Sequence, residues 1–173
     1  LQQYEAEYGY KTVVIDKLKD SNRDISSTYV REKIADGNIR KANELLGYHY
    51  FIKSEILHGK KLGRRIGMPT INMILPENKL LPPNGVYVTE VLVEGKTYMG
   101  VTNVGCKPTV SNERTIGVET YIDNFNQDLY GEKIVVSFLE FIRPEMKFAS
   151  IEELKAQMES DIQVAKKYYG NVT

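Results

Sequence analysis

From residue 48 onward, apolar and polar residues alternate with the two-residue period of half-buried β-strands. Glu94-Gly95 between two such runs favours a hairpin. No helical pattern interrupts these runs, so the sequence predicts a closed or nearly closed antiparallel barrel. The predicted strands cover residues 48–57, 85–93, 97–104, 117–122 and 133–141, with an extended segment at 69–72.

The last segment changes to a helical period. Ser150 and Glu153 are spaced as a capping box that starts a helix. One face of this helix is apolar, so we expect it to cover one side of the barrel. That face carries Ile151, Leu154, Met158, Ile162 and Ala165.

The first part of the chain has a different pattern. Residues 12–15 form a short strand-like run, and hydroxyls at 26–28 suit the start of a helix that stops at Gly37. A second short helix is predicted from Ile39 to Leu46, ending at Gly47. We detect no internal repeat, low-complexity tract or long linker.

Composition limits the possible functions. The chain has 173 residues with 42% hydrophobic and 27% charged residues, which is typical of one main globular domain. Lys plus Arg balances Asp plus Glu at 23 each, so nucleic acid is not an expected ligand. There is no membrane-spanning run, and the single Cys106 suits a reducing cytoplasm.

Glycines and cations converge at residues 59–72, which end in Pro69-Thr70-Ile71-Asn72. Glycines let backbone N–H groups approach an anion, and Thr70 and Asn72 point the same way on an extended segment. The stretch therefore indicates a place that holds phosphates and a hard cation. The alternative is a glycine-rich surface loop with scattered basic residues.

Five ordered motifs together resemble those of riboflavin kinase, the C-terminal module of the prokaryotic bifunctional riboflavin kinase/FMN adenylyltransferase. The resemblance covers essentially the whole chain. The motifs are Pro69-Thr70-Ile71-Asn72, Gly85-Val86-Tyr87, the string 103–109 with Asn103, Gly105, Pro108 and Thr109, the segment 117–131 around Glu119, and Ile142-Arg143-Pro144-Glu145.

The resemblance implies a six-stranded antiparallel Greek-key barrel with a C-terminal helix, preceded by a short helical remnant of another domain. It divides the chain into residues 1–47, the end of an FMN adenylyltransferase domain, and residues 48–173, the riboflavin kinase domain. Because the chain begins at Leu1, we interpret it as a fragment whose parent has an N-terminal adenylyltransferase domain. The paired-histidine motif of adenylyl transfer is missing, so we do not expect that activity. The hydroxyls at 26–28 and Arg31, which would hold ATP phosphates in the family, can equally be a helix cap.

The implied reaction moves the γ-phosphoryl group of ATP to riboflavin, giving FMN and ADP. Glu119 is the candidate general base, which the resemblance also implies. Thr70 and Asn72 offer oxygen ligands for Mg²⁺. We expect the segments of Asn72 and Glu119 to meet across the barrel mouth. The alternative for Glu119 is a carboxylate on the solvent face of a strand.

Other candidates depend more on the resemblance. The glycine loop would close over the phosphates with Gly59, Gly63, Arg64 and Gly67. The resemblance places Ile122 and Tyr130 on the nucleotide side. It assigns Arg143, Met146 and Phe148 to the flavin slot, although these residues can equally be a core plug between barrel and helix.

Two other functions remain open at this point. A flavin- or nucleotide-binding module without turnover would not need Glu119, Thr70 and Asn72 in combination. An oligonucleotide-binding barrel would need a basic-aromatic face, which the sequence lacks. We therefore expect a cytoplasmic kinase whose partners are the small molecules ATP and riboflavin, with no nucleic acid and no membrane.

Overall fold

The computed structural model describes residues 1–57, 67–75, 78–108, 114–127, 129 and 131–170. Within these ranges, the helices lie at Glu5–Tyr8 (α1), Ser27–Ala35 (α2), Ile39–Leu46 (α3) and Ile151–Gly170 (α4), with a 3-10 turn at Gln2–Tyr4. The strands are Lys19–Asp20 (β1), Arg23–Asp24 (β2), Phe51–Leu57 (β3), Thr70–Met73 (β4), Gly85–Val93 (β5), Lys96–Pro108 (β6), Arg114–Ile122 (β7) and Lys133–Arg143 (β8).

Six strands close into an antiparallel barrel in the order β3-β4-β7-β6-β5-β8. Within it, β5, β6 and β7 follow one another, and β8 returns to lie beside β5, which is the Greek-key arrangement. The predicted fold class is therefore confirmed. The β5–β6 hairpin turns at Glu94 and Gly95, both with positive φ, as the two-residue turn requires.

The barrel interior holds an apolar core with a polar ladder inside it. Tyr87 and Phe138 are fully buried and meet edge to face with their ring centres 5.4 Å apart. Thr89, Thr102 and Thr120 are also fully buried. Their hydroxyls are linked at 2.8 Å and 2.9 Å across β5, β6 and β7. The ladder ties three strands together through side chains as well as through backbone.

Helix α4 covers the outer face of β5, β6 and β7, as predicted from its apolar stripe. Ala165 packs against Val88 and Leu139, and Ile162 packs against Met68. The Ser150 hydroxyl accepts from Glu153 N–H at 3.2 Å, so the predicted cap is present. Of the predicted face, Ile151 at the start of the helix is 40% exposed.

Helices α2 and α3 share the core of the barrel. Ile34, Ile39 and Ala42 are at most 2% exposed and belong to the same apolar cluster as Phe138. The Asn43 amide donates to the Phe138 carbonyl at 2.9 Å and accepts from Tyr50 N–H at 2.7 Å. The predicted bounds of α3 are confirmed, and α2 ends at Ala35, two residues before its predicted stop at Gly37. Ser26 and Asn38 cap the starts of the two helices.

The strand predicted at residues 12–15 is wrong. The segment is irregular, and Val13 and Ile15 are 74% and 85% exposed. A strand needs a neighbour that pairs with its N–H and C=O groups, and no described strand lies beside this segment.

Among the described residues, no helix is both long enough and apolar enough to cross a bilayer.

The threonine ladder gives a test of the core. Thr102→Val removes both ladder hydrogen bonds and leaves the Thr89 and Thr120 hydroxyls buried without that partner. We expect the free energy of unfolding to fall by about 2–4 kcal/mol, measured by urea denaturation. As a control, the triple change of Thr89, Thr102 and Thr120 to Val leaves no hydroxyl unpaired and should be more stable than the single variant. A triple variant less stable than Thr102→Val would contradict this account.

Candidate active site

The pairing of β4 with β7 brings the main candidates together. Asn72 lies directly opposite Glu119, and Thr70 lies opposite Tyr121. Met73 and Val118, their neighbours in the chain, belong to the interior core. Since side chains alternate along a strand, Asn72 and Glu119 lie on the outer face of the barrel. The expectation that the two segments meet is confirmed, but they meet as adjacent paired strands and not across the barrel mouth.

Asn103 extends the pair of Asn72 and Glu119 to a row of three polar residues across β4, β7 and β6. On its other side, Glu119 lies opposite Asn103 of β6. Side chains that face each other on adjacent strands have Cβ atoms about 4.5–5.5 Å apart, so the half-buried Glu119 is flanked by two amides. The sequence interpretation used Asn103 only as part of a motif, and the pairing register reveals its place beside Glu119.

The row separates two parts of the outer face. Two residues along the strands in one direction, Tyr121 and Val101 lie beneath α4. Burial raises the pKa of the Tyr121 phenol, which donates to Asp123 at 3.2 Å. Two residues along in the other direction, Gly117 and Gly105 lie opposite each other. The candidate site is therefore bordered by an apolar patch on one side and by bare backbone on the other.

Glu145 lies over this bare backbone. A Cβ added at Gly105 would collide with the Glu145 carboxylate and would lie 3.1 Å from the Asn103 amide nitrogen. Asn84 donates to the other carboxylate oxygen of Glu145 at 2.9 Å. Glu145 lies two residues beyond the end of β8, so its approach to β6 depends on the path of the chain after Arg143. Glycine at 105 is what allows this approach.

The turn after Arg143 is anchored by a buried ion pair. The Arg143 guanidinium donates to both oxygens of Asp161 on α4, at 2.8 Å from Nη2 and 2.9 Å from Nε. The two side chains are 15% and 4% exposed. Gln157 donates to the same carboxylate at 2.9 Å. Arg143 thus joins the end of β8 to α4, and its predicted contact with a flavin stays a prediction.

The remaining candidates are spread around the barrel. Met146 is 52% exposed, and half-buried Phe148 has its ring centre 5.9 Å from the guanidinium carbon of Arg143. Ile122 is only 4% exposed and lies in the interior core, on the opposite face from Glu119. Gly67 is exposed, with φ of 78°. The predictions for Gly59, Gly63, Arg64 and Tyr130 fall outside the described residues.

The oxygen atoms beside Glu119 suit a hard cation that takes only some of its ligands from the protein. Thr70 and Asn72 present a hydroxyl and an amide oxygen on the same face as the Glu119 carboxylate. Within the described ranges, no group of three or more His, Cys, Asp and Glu side chains could hold a metal. A cation here would take its other ligands from phosphate and water.

A separate cavity of about 350 Å³ lies between α3, the segment that leads into β3, β8 and the end of α4. No residue of β4, β6 or β7 lines it. It is lined by Arg40, Asn43, Glu44, Gly47, Tyr48, His49, Leu139 and Tyr168.

Comparisons with known proteins agree on one family. A model of the riboflavin kinase family matches residues 46–169. Over 163 residues the chain is 36% identical to the bifunctional riboflavin kinase/FMN adenylyltransferase of Listeria monocytogenes, covering 94% of this chain and 52% of the relative. The enzymes of the same name from Bacillus subtilis and Escherichia coli are 41% and 40% identical, covering 92% and 98% of this chain and 51% and 54% of theirs. The chain spans about half the length of these curated relatives.

Two solved structures have a similar fold. A chain from Streptococcus pneumoniae, described as a macrolide-efflux protein, is 33% identical with a TM-score of 0.85, covering 95% of this chain and 54% of that one. Riboflavin kinase from Trypanosoma brucei is 24% identical with a TM-score of 0.50, covering 68% of this chain and 78% of that one. The second likeness concerns the fold alone.

The Arg143–Asp161 pair predicts a large stability effect. Asp161→Ala leaves the mostly buried guanidinium without its counter-charge, and we expect the free energy of unfolding to fall by about 3–5 kcal/mol in urea denaturation. Glu159→Ala removes one partner of the exposed Lys155–Glu159 pair and should cost at most about 1 kcal/mol. Equal losses in the two variants would show that the buried pair does not anchor α4.

Proposed function

The chain belongs to the riboflavin kinase family, and we propose that Glu119 is the general base of its phosphoryl transfer. The reaction moves the γ-phosphoryl group of ATP to the terminal ribityl hydroxyl of riboflavin, giving FMN and ADP. The observation that carries the proposal is the register that sets Glu119 directly opposite Asn72, on the face that Thr70 also occupies.

Glu119 meets the requirements of a base. A carboxylate within hydrogen-bond reach of the attacking hydroxyl can accept its proton as the new P–O bond forms. The backbone of β7 is held by ladders on both sides, with β4 and with β6, so the position of Glu119 is set by the sheet. Such positioning supplies much of the rate in phosphoryl transfer, where little covalent chemistry falls to the protein.

Thr70 and Asn72 are proposed to hold a Mg²⁺–ATP complex. Their oxygens are hard ligands of the kind that Mg²⁺ prefers, and the phosphates of ATP would supply further ligands. When bound, Mg²⁺ neutralises charge on the phosphate oxygens. Asn72 is only 8% exposed, so its amide is held in place by its surroundings. The two residues orient the phosphate chain towards the row that contains Glu119.

The remaining contacts are proposals of the same kind. We propose that the glycine loop, with Gly59, Gly63, Arg64 and Gly67, closes over the phosphates. Arg143, Met146 and Phe148 would bind the flavin ring, and Tyr130 the nucleotide. Ile122 is buried in the interior core, so we do not propose that it contacts the nucleotide. The exposure of Met146 supports a surface slot near the end of β8.

The domain division and the cellular setting also remain proposals. We propose that residues 1–47 end an adenylyltransferase domain and that residues 48–173 form the kinase, which the family match over 46–169 supports. Adenylyl transfer is then a property of the parent protein. ATP as phosphoryl donor supports a cytoplasmic location. The S. pneumoniae description names another activity, but the family model that matches residues 46–169 favours the kinase.

Replacing the base gives the most direct test. Glu119→Gln keeps the shape of the side chain but cannot accept the proton, so we expect kcat to fall by about 10²-fold or more with riboflavin and ATP affinities near wild type. FMN formation is followed by chromatography, and binding by calorimetry. Glu55→Gln, an exposed change on β3, is the matched control.

Two outcomes would count against this role. Lost binding with an unchanged turnover number would remove Glu119 from the chemistry. Stoichiometric flavin binding by the wild-type chain, without FMN formation, would favour the binding module that lacks turnover.

The metal proposal has its own test. Thr70→Val keeps the side-chain volume but removes the oxygen, so we expect the Mg²⁺ concentration for half-maximal rate to rise about 10-fold or more. The measurement is FMN formation against Mg²⁺ at fixed ATP. Thr97→Val, on an exposed part of β6, should leave the Mg²⁺ dependence unchanged. An unchanged dependence in Thr70→Val would mean that this hydroxyl does not reach the cation.

A further inference from the structure

We propose that Glu145 and Asn103 bind the internal hydroxyls of the ribityl chain and so make the enzyme selective for the polyol of riboflavin. The inference rests on the proposed role of Glu119, which receives the terminal hydroxyl. Glu145 and Asn103 would determine which substrate is accepted, whereas Glu119 would accept the proton of the terminal hydroxyl.

The pairing register of β6 and β7 sets the proposed polyol contacts in a line along the two strands. Glu119 and Asn103 lie side by side, and Gly117 and Gly105 lie side by side two residues further along the same strands. Two residues of a strand span about 6.8 Å, comparable with the length of a short polyol. A ribityl chain with its terminal hydroxyl at Glu119 would therefore pass Asn103 and reach the Glu145 carboxylate above Gly105.

The missing Cβ of Gly105 leaves the space that the Glu145 carboxylate fills. Gly105 and Gly117 are both buried, whereas Glu145 is exposed, so a polyol would reach the carboxylate and not the backbone. The Glu145 carboxylate and the Asn103 amide nitrogen converge on the position that a Cβ of residue 105 would occupy. Two polar groups from different parts of the chain thus meet over one bare patch.

These two groups match the hydrogen bonding of a polyol. Each hydroxyl both donates and accepts, the Glu145 carboxylate accepts, and the Asn103 amide does both. Asn84 donates to Oε2 of Glu145 at 2.9 Å, which orients the carboxylate with Oε1 towards Gly105. Hydrogen bonds to an ionised group are stronger than neutral ones, so Glu145 should contribute more than Asn103.

Selectivity follows from the free-energy cost of leaving a polar group of the protein without its hydrogen-bond partner. A site built to hydrogen-bond a substrate hydroxyl rejects an analogue that lacks it, because the protein group is then left unpaired. Riboflavin analogues that lack a single internal ribityl hydroxyl should therefore be poor substrates. The terminal hydroxyl stays in place in these analogues, so the phosphoryl acceptor itself is unchanged.

The experiment measures kcat/KM for riboflavin and for each single-deoxy analogue with wild type, Glu145→Ala and Asn103→Ala. In wild type, we expect loss of the hydroxyl that meets Glu145 to lower kcat/KM about 10-fold or more. Glu145→Ala should lose a similar factor with riboflavin, mainly through KM for riboflavin. In Glu145→Ala, kcat/KM for the analogue that lacks this hydroxyl should be close to kcat/KM for riboflavin. In Asn103→Ala, we expect the same pattern with the analogue that lacks the hydroxyl bound by Asn103, and a smaller loss of kcat/KM.

Controls separate this inference from the proposed function and from a purely structural role. Glu152→Ala, an exposed carboxylate at the start of α4, should keep the wild-type preference, and KM for ATP should stay unchanged in all variants. Wild type that forms no FMN from riboflavin overturns the proposed function. Wild type that turns over riboflavin, with variants that lose the same factor for every analogue, overturns the inference alone. A lower melting temperature in Glu145→Ala with unchanged KM for riboflavin assigns Glu145 to a structural contact and also overturns it.

Discussion

The antiparallel pairing of β4 with β7 is the constraint on which the candidate site depends. It sets Asn72 opposite Glu119 and Thr70 opposite Tyr121, on a face that α4 covers only in part. A slip of one residue would turn Glu119 into the core and Val118 outward, because side chains alternate with a period of two. Met73, Val118 and the threonine ladder occupy the inner face and oppose such a slip. The same residues that stabilise the barrel thus position the chemistry.

Helix α4 also helps to position the residues of the candidate site. Its apolar stripe covers Val88, Val101 and Leu139, and its Asp161 holds Arg143 at the end of β8. That pair determines where the chain leaves the barrel, and Glu145 follows two residues later. Glu145, which is far from β6 in sequence, is therefore placed beside Gly105 and Asn103 by one ion pair and one glycine. The proposed site lies on the part of the outer face that α4 leaves uncovered.

Much of this arrangement could be predicted from local patterns. The alternation of residues 85–93 and 133–141 predicted β5 and β8, and the spacing of Ser150 with Glu153 predicted the start of α4, because these signals lie within one element. The paired position of Asn103 and the approach of Glu145 to Gly105 could not be read in this way, since they depend on strand register and on the path of the chain after β8. The error at residues 12–15 has the same origin, because strand propensity does not supply a partner strand.

The sharing of one core by α2, α3 and the barrel bears on how the chain can be divided. Ile34, Ile39, Ala42 and Leu45 lie before the family-matched segment 46–169, yet they pack into the same cluster as Phe138. A protein trimmed to the matched segment would expose the apolar floor on which these helices rest, together with the Phe138 carbonyl that Asn43 now satisfies. The family-matched segment and the packed core therefore begin at different places in the chain, because α2 and α3 contribute buried side chains to the barrel cluster.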